Sequence, residues 1–353
     1  FLSEPIVNTF IKATFFSIVG IFSITQLYSF GLLIVLHYTT IIYQDNKLCF
    51  YMDFLKKEKL RILLTGNRGF IARKVELKLK ELGHDVFGFD ILDGFNLLDR
   101  DSVEHAVEKV DSVLHIAAEA DMTRMVDLTG SYKGTLVNVD GTHNIAYACA
   151  KHGKWLIYTS TCCVYGNVTE HPAKEDSTLP NPSELYACSK YAGEWLVRGY
   201  GLNYDMPWTI LRYATVYGEG MRETLGVYVF LKQAILNKPI TVHGDGMQER
   251  TLTFVDDLVE GTVATLSRRA ESLGQIFNLS TTERITAIKM AKDIKKLTGT
   301  SSEIVFIPQR KNQTILEDID ASKAERLLGW KATTLWDEGL TATYEWMKGL
   351  DLK

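Results

Sequence analysis

The sequence predicts an α/β protein built on a doubly wound parallel sheet. Three observations point there. From residue 59 to 213, compact apolar runs alternate with segments of helical spacing. A glycine-rich turn at 66–72 joins the first apolar run to the first helical segment. No proline occurs between Pro5 and Pro172. Strands that alternate with helices pair in parallel and are covered on both faces. A chain without proline leaves both kinds of element uninterrupted.

Residues 59–65 (KLRILLT) read as a buried strand entering the glycine turn. Residues 70–82 have helical spacing and stop at Gly83. A second strand at 85–89 ends at Asp90, a helix follows at 102–109, and a third strand at 112–117. A long helix at 131–152 stops at Gly153, and a fourth strand follows at 155–160. The next helix is 183–200 and the next strand 208–213. Beyond Tyr217 the alternation loosens. Short strands at 240–243, 252–255, 275–279 and 303–307 mix with helices at 256–268, 287–298 and 335–348.

The chain of 353 residues fits one large or two modest domains. Its 46% apolar and 23% charged residues exclude wholesale disorder. A net charge of -4 provides no basic field for nucleic acid, so no such partner is expected and any phosphate site must be local. The cysteines Cys49, Cys149, Cys162, Cys163 and Cys188 form no C-x-x-C or Cys/His zinc spacing. Reduced thiols and no metal site are expected. Residues 13–44 contain no Asp, Glu, Lys or Arg, and about 20 apolar residues cross a bilayer. One reading is a membrane anchor, with Lys47, Lys56, Lys57, Lys59 and Arg61 keeping the following domain cytosolic. The other is that residues 1–51 are translated upstream of the mature protein, since a soluble pattern opens at Met52. On either reading residues 1–51 carry no chemistry.

The turn Gly66-Asn-Arg-Gly69-Phe70-Ile71-Ala72 follows a strand and opens a helix. Glycines there let the backbone approach a pyrophosphate seated on the N–H groups of the helix N-terminus. Asp90 closes the second strand, where a carboxylate accepts both hydroxyls of an adenosine ribose and repels a 2′-phosphate. Together these features predict a dinucleotide site that takes NAD in preference to NADP. Tyr186 and Lys190 lie four apart on a helix and share a face. A nearby cation lowers a phenol's pKa towards working pH, so that the phenol can take a proton from a sugar hydroxyl. Such pairs are common on surface helices and carry little alone. Thr161 comes off the end of the fourth strand, where ligands of parallel sheets bind.

Taken together, these motifs resemble the extended short-chain dehydrogenase/reductase family. Within it they resemble the NAD-dependent nucleotide-sugar epimerase/dehydratase branch, of the UDP-glucose 4-epimerase type. The resemblance spans nearly all of residues 60–348. The turn at 66–72 looks like the family's T-G-x-x-G-F-I-G, and HIAA at 115–118 like its H-x-A-A run. NVDGT at 138–142 is similar to its N-V-x-G-T helix start. LRY at 211–213 with VYG at 216–218 resembles a strand motif, and GDG at 244–246 with Arg250 and VDD at 255–257 a later segment. DASK at 320–323 and LGW at 328–330 match its C-terminal pattern.

The resemblance implies a Rossmann-type cofactor domain over 52–217 and a smaller substrate lobe over 218–353, with 276–280 returning to the sheet. It implies Tyr186 as base, with Lys190 lowering its pKa and holding the nicotinamide ribose, and Thr161 placing the sugar hydroxyl. The cofactor contacts would include Gly66, Gly69, Phe70, Ile71, Asp90, Asn96, Leu97, Ala117, Ala118 and Asn138. Thr161, Thr215, Arg250 and Arg310 would contact substrate, the arginines gripping a diphosphate. The family's 4,6-dehydratases carry Asp-Glu after the threonine and its decarboxylases keep a Glu there; this chain has Cys162 and Cys163. Ala214-Thr215 stands where Phe-Asn is common, and Glu219 where proline follows V-Y-G. The expected activity is therefore NAD-dependent inversion of C4 of a UDP-sugar through a 4-keto intermediate. The alternatives are a dehydratase or reductase of the same family, or a non-catalytic NAD-binding protein. A homodimer formed by helices 131–152 and 183–200 is expected, with the catalytic part in the cytoplasm, membrane-tethered if 13–44 is an anchor.

Overall fold

The computed structural model describes residues 57–125, 127–167, 170–178, 180–309 and 315–352. The apolar stretch 13–44 and Arg310 lie outside them. In chain order the elements are β1 (Arg61–Thr65), α1 (Phe70–Glu81), β2 (Asp85–Phe89), α2 (Arg100–Glu108), β3 (Ser112–His115), α3 (Leu128–Lys151), β4 (Trp155–Thr161), α4 (Leu185–Tyr204) and β5 (Trp208–Tyr213). They continue with β6 (Thr215–Tyr217), α5 (Gly226–Ile235), β7 (Ile240–His243), β8 (Glu249–Phe254), α6 (Val255–Ser267), α7 (Arg269–Ser272), β9 (Gln275–Leu279), β10 (Arg284–Thr286), α8 (Ala287–Thr298), β11 (Ile304–Ile307), α9 (Ser322–Leu328) and α10 (Trp336–Lys348).

Six strands form one sheet in the order β2-β1-β3-β4-β5-β9, and every pairing in it is parallel. The chain leaves β1 for β2 on one side and returns to β3 on the other. That reversal opens a crevice beyond the carboxyl ends of β1 and β3, the place where such sheets bind ligands. β9 joins β5 at the far edge, with Ile210 opposite Ile276 and Tyr213 opposite Leu279. Leu63, Val103, Val113, Ile145, Leu156 and Ile210 build the core on one face. On the other, α1 packs against α6, and Lys78 bridges to Glu260 at 2.6 Å.

Helix starts differ from the apolar spacing where a side chain caps them. Asp99 accepts from Ser102 N, so α2 begins at Arg100 rather than 102. Asp127 accepts from Gly130 N, so α3 begins at Leu128 rather than 131. Beyond β5 the sheets are small: a mixed one in the order β10-β8-β6 and a parallel pair β11-β7. They enclose a second core containing Tyr217, Leu231, Ile240, Leu252, Ile285 and Trp336. α5, α7, β10 and α9 are absent from the sequence reading, and β6 enters it only through the strand motif at 211–218. β6 and β10 have three residues each, too few to show a period.

Among the described residues no helix is long and apolar enough to cross a membrane, and no cluster of His, Cys, Asp and Glu could hold a metal ion.

Candidate active site

Gly66 follows β1 with φ +72°, and a Cβ there would lie 2.8 Å from Ala117 Cα. Only glycine lets this turn rest against the backbone leaving β3. Its N–H donates to Phe89 O at 2.9 Å, and Gly69 N–H donates to Gly66 O at 2.8 Å, which closes the turn. No side chain caps α1, so its first N–H groups stay available to an anion. Asp90 follows β2 and is buried. Its Oδ2 accepts from Arg68 N at 3.1 Å and its Oδ1 from Leu92 N at 2.9 Å. The carboxylate therefore caps a turn and faces the cavity at once, with acceptor capacity left on each oxygen.

One cavity of about 970 Å³ is lined by Gly66, Gly69, Phe70, Ile71 and Asp90, by Asn96, Leu97, Ala117 and Ala118, and by Thr161, Tyr186, Lys190, Thr215 and Arg250. That is the upper end of the size range for cofactor and substrate pockets. Asn138 is buried in the middle of α3, so the run at 138–142 is not a helix start. Its Oδ1 accepts from Glu119 N at 2.8 Å, and its Nδ2 donates to Glu119 O at 3.1 Å and Ser189 Oγ at 2.9 Å. Asn138 thus ties the wall of the cavity to α4 from behind.

Thr161 ends β4, and its hydroxyl accepts from Cys163 N at 3.2 Å. Burial drives the Tyr186 phenol above its ordinary pKa, and Cys163 adds to this; the Arg222 cation and a hydrogen bond from Thr161 pull it back. Lys190, one turn on in α4, is 2% exposed. Burial lowers its ammonium to about 7, against the opposing field of Glu194. Its Nζ lies 4.3 Å from the centre of the Tyr158 ring. Arg222, which the four-residue spacing does not reveal, is thus a second cation that draws the phenol down.

Sequence reasoning missed Arg222. It follows β6, lines the cavity and donates through Nη1 to Ala120 O. Its Nε is buried without a hydrogen-bond partner. A charged residue just past a short strand was the only available signal. Glu317 was missed as well: it accepts from Thr215 N and Thr215 Oγ1 and lies 3.7 Å from Arg250 Nε. Cys162 donates to Arg212 O at 3.4 Å, and burial raises its thiol well above the ordinary value. Burial, with help from Glu317, pushes Cys163 to about 11. Both remain thiols at neutral pH. Glu219, in the place of a proline, pairs with Lys74 at 3.3 Å.

Residues 62–280 match the model of the NAD dependent epimerase/dehydratase family. The chain belongs to this family. Among its relatives, the UDP-N-acetyl-alpha-D-glucosaminuronate decarboxylase of Bacillus cytotoxicus is 30% identical over 332 residues, covering 83% of this chain and 99% of that protein. The UDP-glucuronate 4-epimerase of Thermodesulfobacterium geofontis is 29% identical, covering 81% and 95%. In structure, the UDP-glucose 4-epimerase of Thermotoga maritima with UDP-glucose superposes with a TM-score of 0.76 at 27% identity, covering 82% of this chain and 98% of that one. The UDP-glucuronic acid 4-epimerase of Bacillus cereus with UDP-glucuronic acid and NAD gives 0.75 at 28%, covering 82% and 99%. Relatives of this family member thus include UDP-sugar epimerases and decarboxylases and a dTDP-sugar dehydratase.

Proposed function

We propose that this family member is an NAD-dependent epimerase that inverts C4 of a UDP-sugar through a transient 4-keto sugar. One observation carries the reading. The proton-transfer pair Thr161 and Tyr186 shares a cavity with the glycine turn and Asp90, while the residues after Thr161 are thiols held neutral. Elimination of water needs an acid and a base beside the hydroxyl pair. Cys162 and Cys163 supply neither at neutral pH. Glu317 is committed to Thr215 and Thr251, from which it accepts three hydrogen bonds.

The cradle suits NAD. Gly66 clears the approach of a pyrophosphate to the first turn of α1, and Asp90 can accept from ribose hydroxyls. When bound, NAD supplies a reversible hydride acceptor. Tyr186 takes the proton of the C4 hydroxyl and later returns it, and Thr161 fixes that hydroxyl by accepting and donating hydrogen bonds. Lys190 holds the ribose side, and Arg250 and Arg310 hold the diphosphate while the sugar turns over. Residues 52–217 form the cofactor part and 218–353 chiefly the substrate part.

A homodimer is part of the reading. α3 and α4 pack on each other, and Tyr132, Trp195, Leu202 and Tyr204 stand exposed on them. The unpaired Cys149, Cys162, Cys163 and Cys188 suit the reducing cytoplasm. The test incubates the full chain with UDP-glucose, UDP-galactose, UDP-glucuronate and UDP-galacturonate and follows products by NMR. A 4-epimer with no net consumption of NAD is expected. Release of CO2, or a 4-keto-6-deoxy product, overturns the epimerase assignment.

A further inference from the structure

The C-terminal wall of the cavity holds a carboxylate for which the proposed chemistry has no use. Glu317 is 6% exposed. Its Oε1 accepts from Thr215 N at 3.2 Å and Thr251 Oγ1 at 2.8 Å. Its Oε2 accepts from Thr215 Oγ1 at 3.0 Å and lies 3.7 Å from Arg250 Nε. The backbone fixes it there: Glu317 N donates to Glu249 O at 3.2 Å, and Glu249 N to Ile315 O at 2.8 Å. Glu317 thus grips β6 and β8 together through Thr215 and Arg250, both of which line the cavity.

A buried carboxylate is costly to desolvate, and beside a subsite for a diphosphate it also opposes the ligand's charge. Two consequences follow from its bonds. Carboxylate oxygens only accept, so the Thr215 proton is committed to Glu317 and the hydroxyl offers the cavity an acceptor. Arg250 keeps its charge, but the neighbouring negative charge offsets much of the field that an incoming phosphate feels.

We propose that Glu317 is a specificity-determining residue of the diphosphate subsite, which loosens the hold of Arg250 on UDP and presents Thr215 as acceptor to a hydroxyl or N–H of the ligand. This rests on the nucleotide-sugar reading above. A loosely held diphosphate suits a reaction in which the sugar must turn over within the site and the product must then leave.

The test is Glu317→Gln. The amide oxygen can still accept from Thr215 N and Thr251, while the amide nitrogen donates to Thr215 Oγ1 and turns that hydroxyl's proton outward. UDP is titrated calorimetrically into the full-length wild type, Glu317→Gln, Arg250→Gln and the double variant. Glu317→Gln is expected to bind UDP about tenfold tighter than wild type. The gain shrinks with added salt and disappears in the Arg250→Gln background. Unchanged or weaker UDP binding by a variant that melts like wild type overturns the proposal, since a merely structural role predicts that loss. If Glu317→Gln melts early, Glu317→Met must show the same tightening, and its failure to do so is equally decisive. A wild type that does not bind UDP at millimolar concentration overturns the nucleotide-sugar reading itself, and the proposal with it, before any variant is made.

Discussion

On the side of β1 and β3 the cavity is shaped by local turns and carries the Asp90 carboxylate; on the side of β6 and β8 the charges Arg222, Arg250 and Glu317 come from distant segments. Behind the first wall Ala117 N donates to Thr65 Oγ1 at 3.1 Å, and Thr65 bonds His115 Nδ1 at 2.7 Å. His115 Nε2 bonds Thr142 at 3.0 Å, and Thr142 donates to Asn138 O at 2.6 Å. Every link has the same donor sense if His115 carries its proton on Nε2. Burial lowers this imidazole to about 3, so it stays neutral at any working pH. The second wall carries Arg222 with an unpartnered Nε, and Arg250 facing Glu317. The difference teaches a division of labour. One wall takes its shape from local turns and offers a ligand uncapped N–H groups and the Asp90 carboxylate; the other keeps charges whose balance a ligand must finish.

Tyr186 stands between the walls, and removing its hydroxyl has the largest expected effect. Tyr186→Phe should lower kcat by ~10²–10⁴-fold, the usual contribution of a positioned acid or base. NAD affinity and melting temperature should stay close to wild type, because the ring remains. A fully active Tyr186→Phe removes Tyr186 as the base. Asp90→Ala probes the first wall alone. Loss of hydrogen bonds to a charged acceptor should weaken NAD by about 10–100-fold and bring NADP to parity, while UDP affinity is untouched. A coupled loss of UDP binding would break the distinction between the walls.

The first wall was legible in the sequence; of the second, Thr215 and Arg250 were legible while Arg222 and Glu317 were not, for a physical reason. Gly66, Gly69 and Asp90 act through turns made by their own neighbours, so the residue run around each states its role. Asn138 shows the limit: the run 138–142 marked the neighbourhood, yet only the packing of α3 on α4 decides that its amide bonds Glu119 and Ser189. Glu317 meets Thr215 across 102 residues and Thr251 across 66. Arg222 meets Ala120 across 102. No local pattern announces such pairings, and the three-residue strands that present them, such as β6, are too short to carry a period.

Arg222→Gln tests the second wall through its effect on the first-named base. The Arg222 cation stabilises phenolate and so lowers the Tyr186 pKa. A base works when deprotonated, so the rate rises with pH through that pKa. Removing the cation raises the pKa, and the acid limb of the kcat profile should move up by about one pH unit, costing roughly tenfold at a pH on that limb. An unmoved limb with a raised KM would assign Arg222 to binding alone.

The smallest effect is expected from the thiols, and it is the sharpest discriminator between reaction classes. Cys162 is 2% exposed, and Cys163 sits beside Thr161 and Tyr186 on the cavity wall. A thiol acts as a base or nucleophile only as thiolate. Burial raises both, Cys163 to about 11, so almost none is ionised at pH 7. Raising the pH towards that value ionises more Cys163, which would place a negative charge beside Tyr186 and make the phenol harder to ionise. Cys163→Ala removes that charge in advance. It should leave activity at pH 7 within about threefold of wild type, far from the ~10²-fold that loss of a general base costs. Cys162→Ser should behave alike at neutral pH, since its hydroxyl can donate to Arg212 O as the thiol does. Cys163→Ala should also hold its rate better than wild type as pH rises above about 10. Loss of all turnover in Cys163→Ala at pH 7 would make the thiol a chemical group and replace epimerisation with an elimination-type reaction.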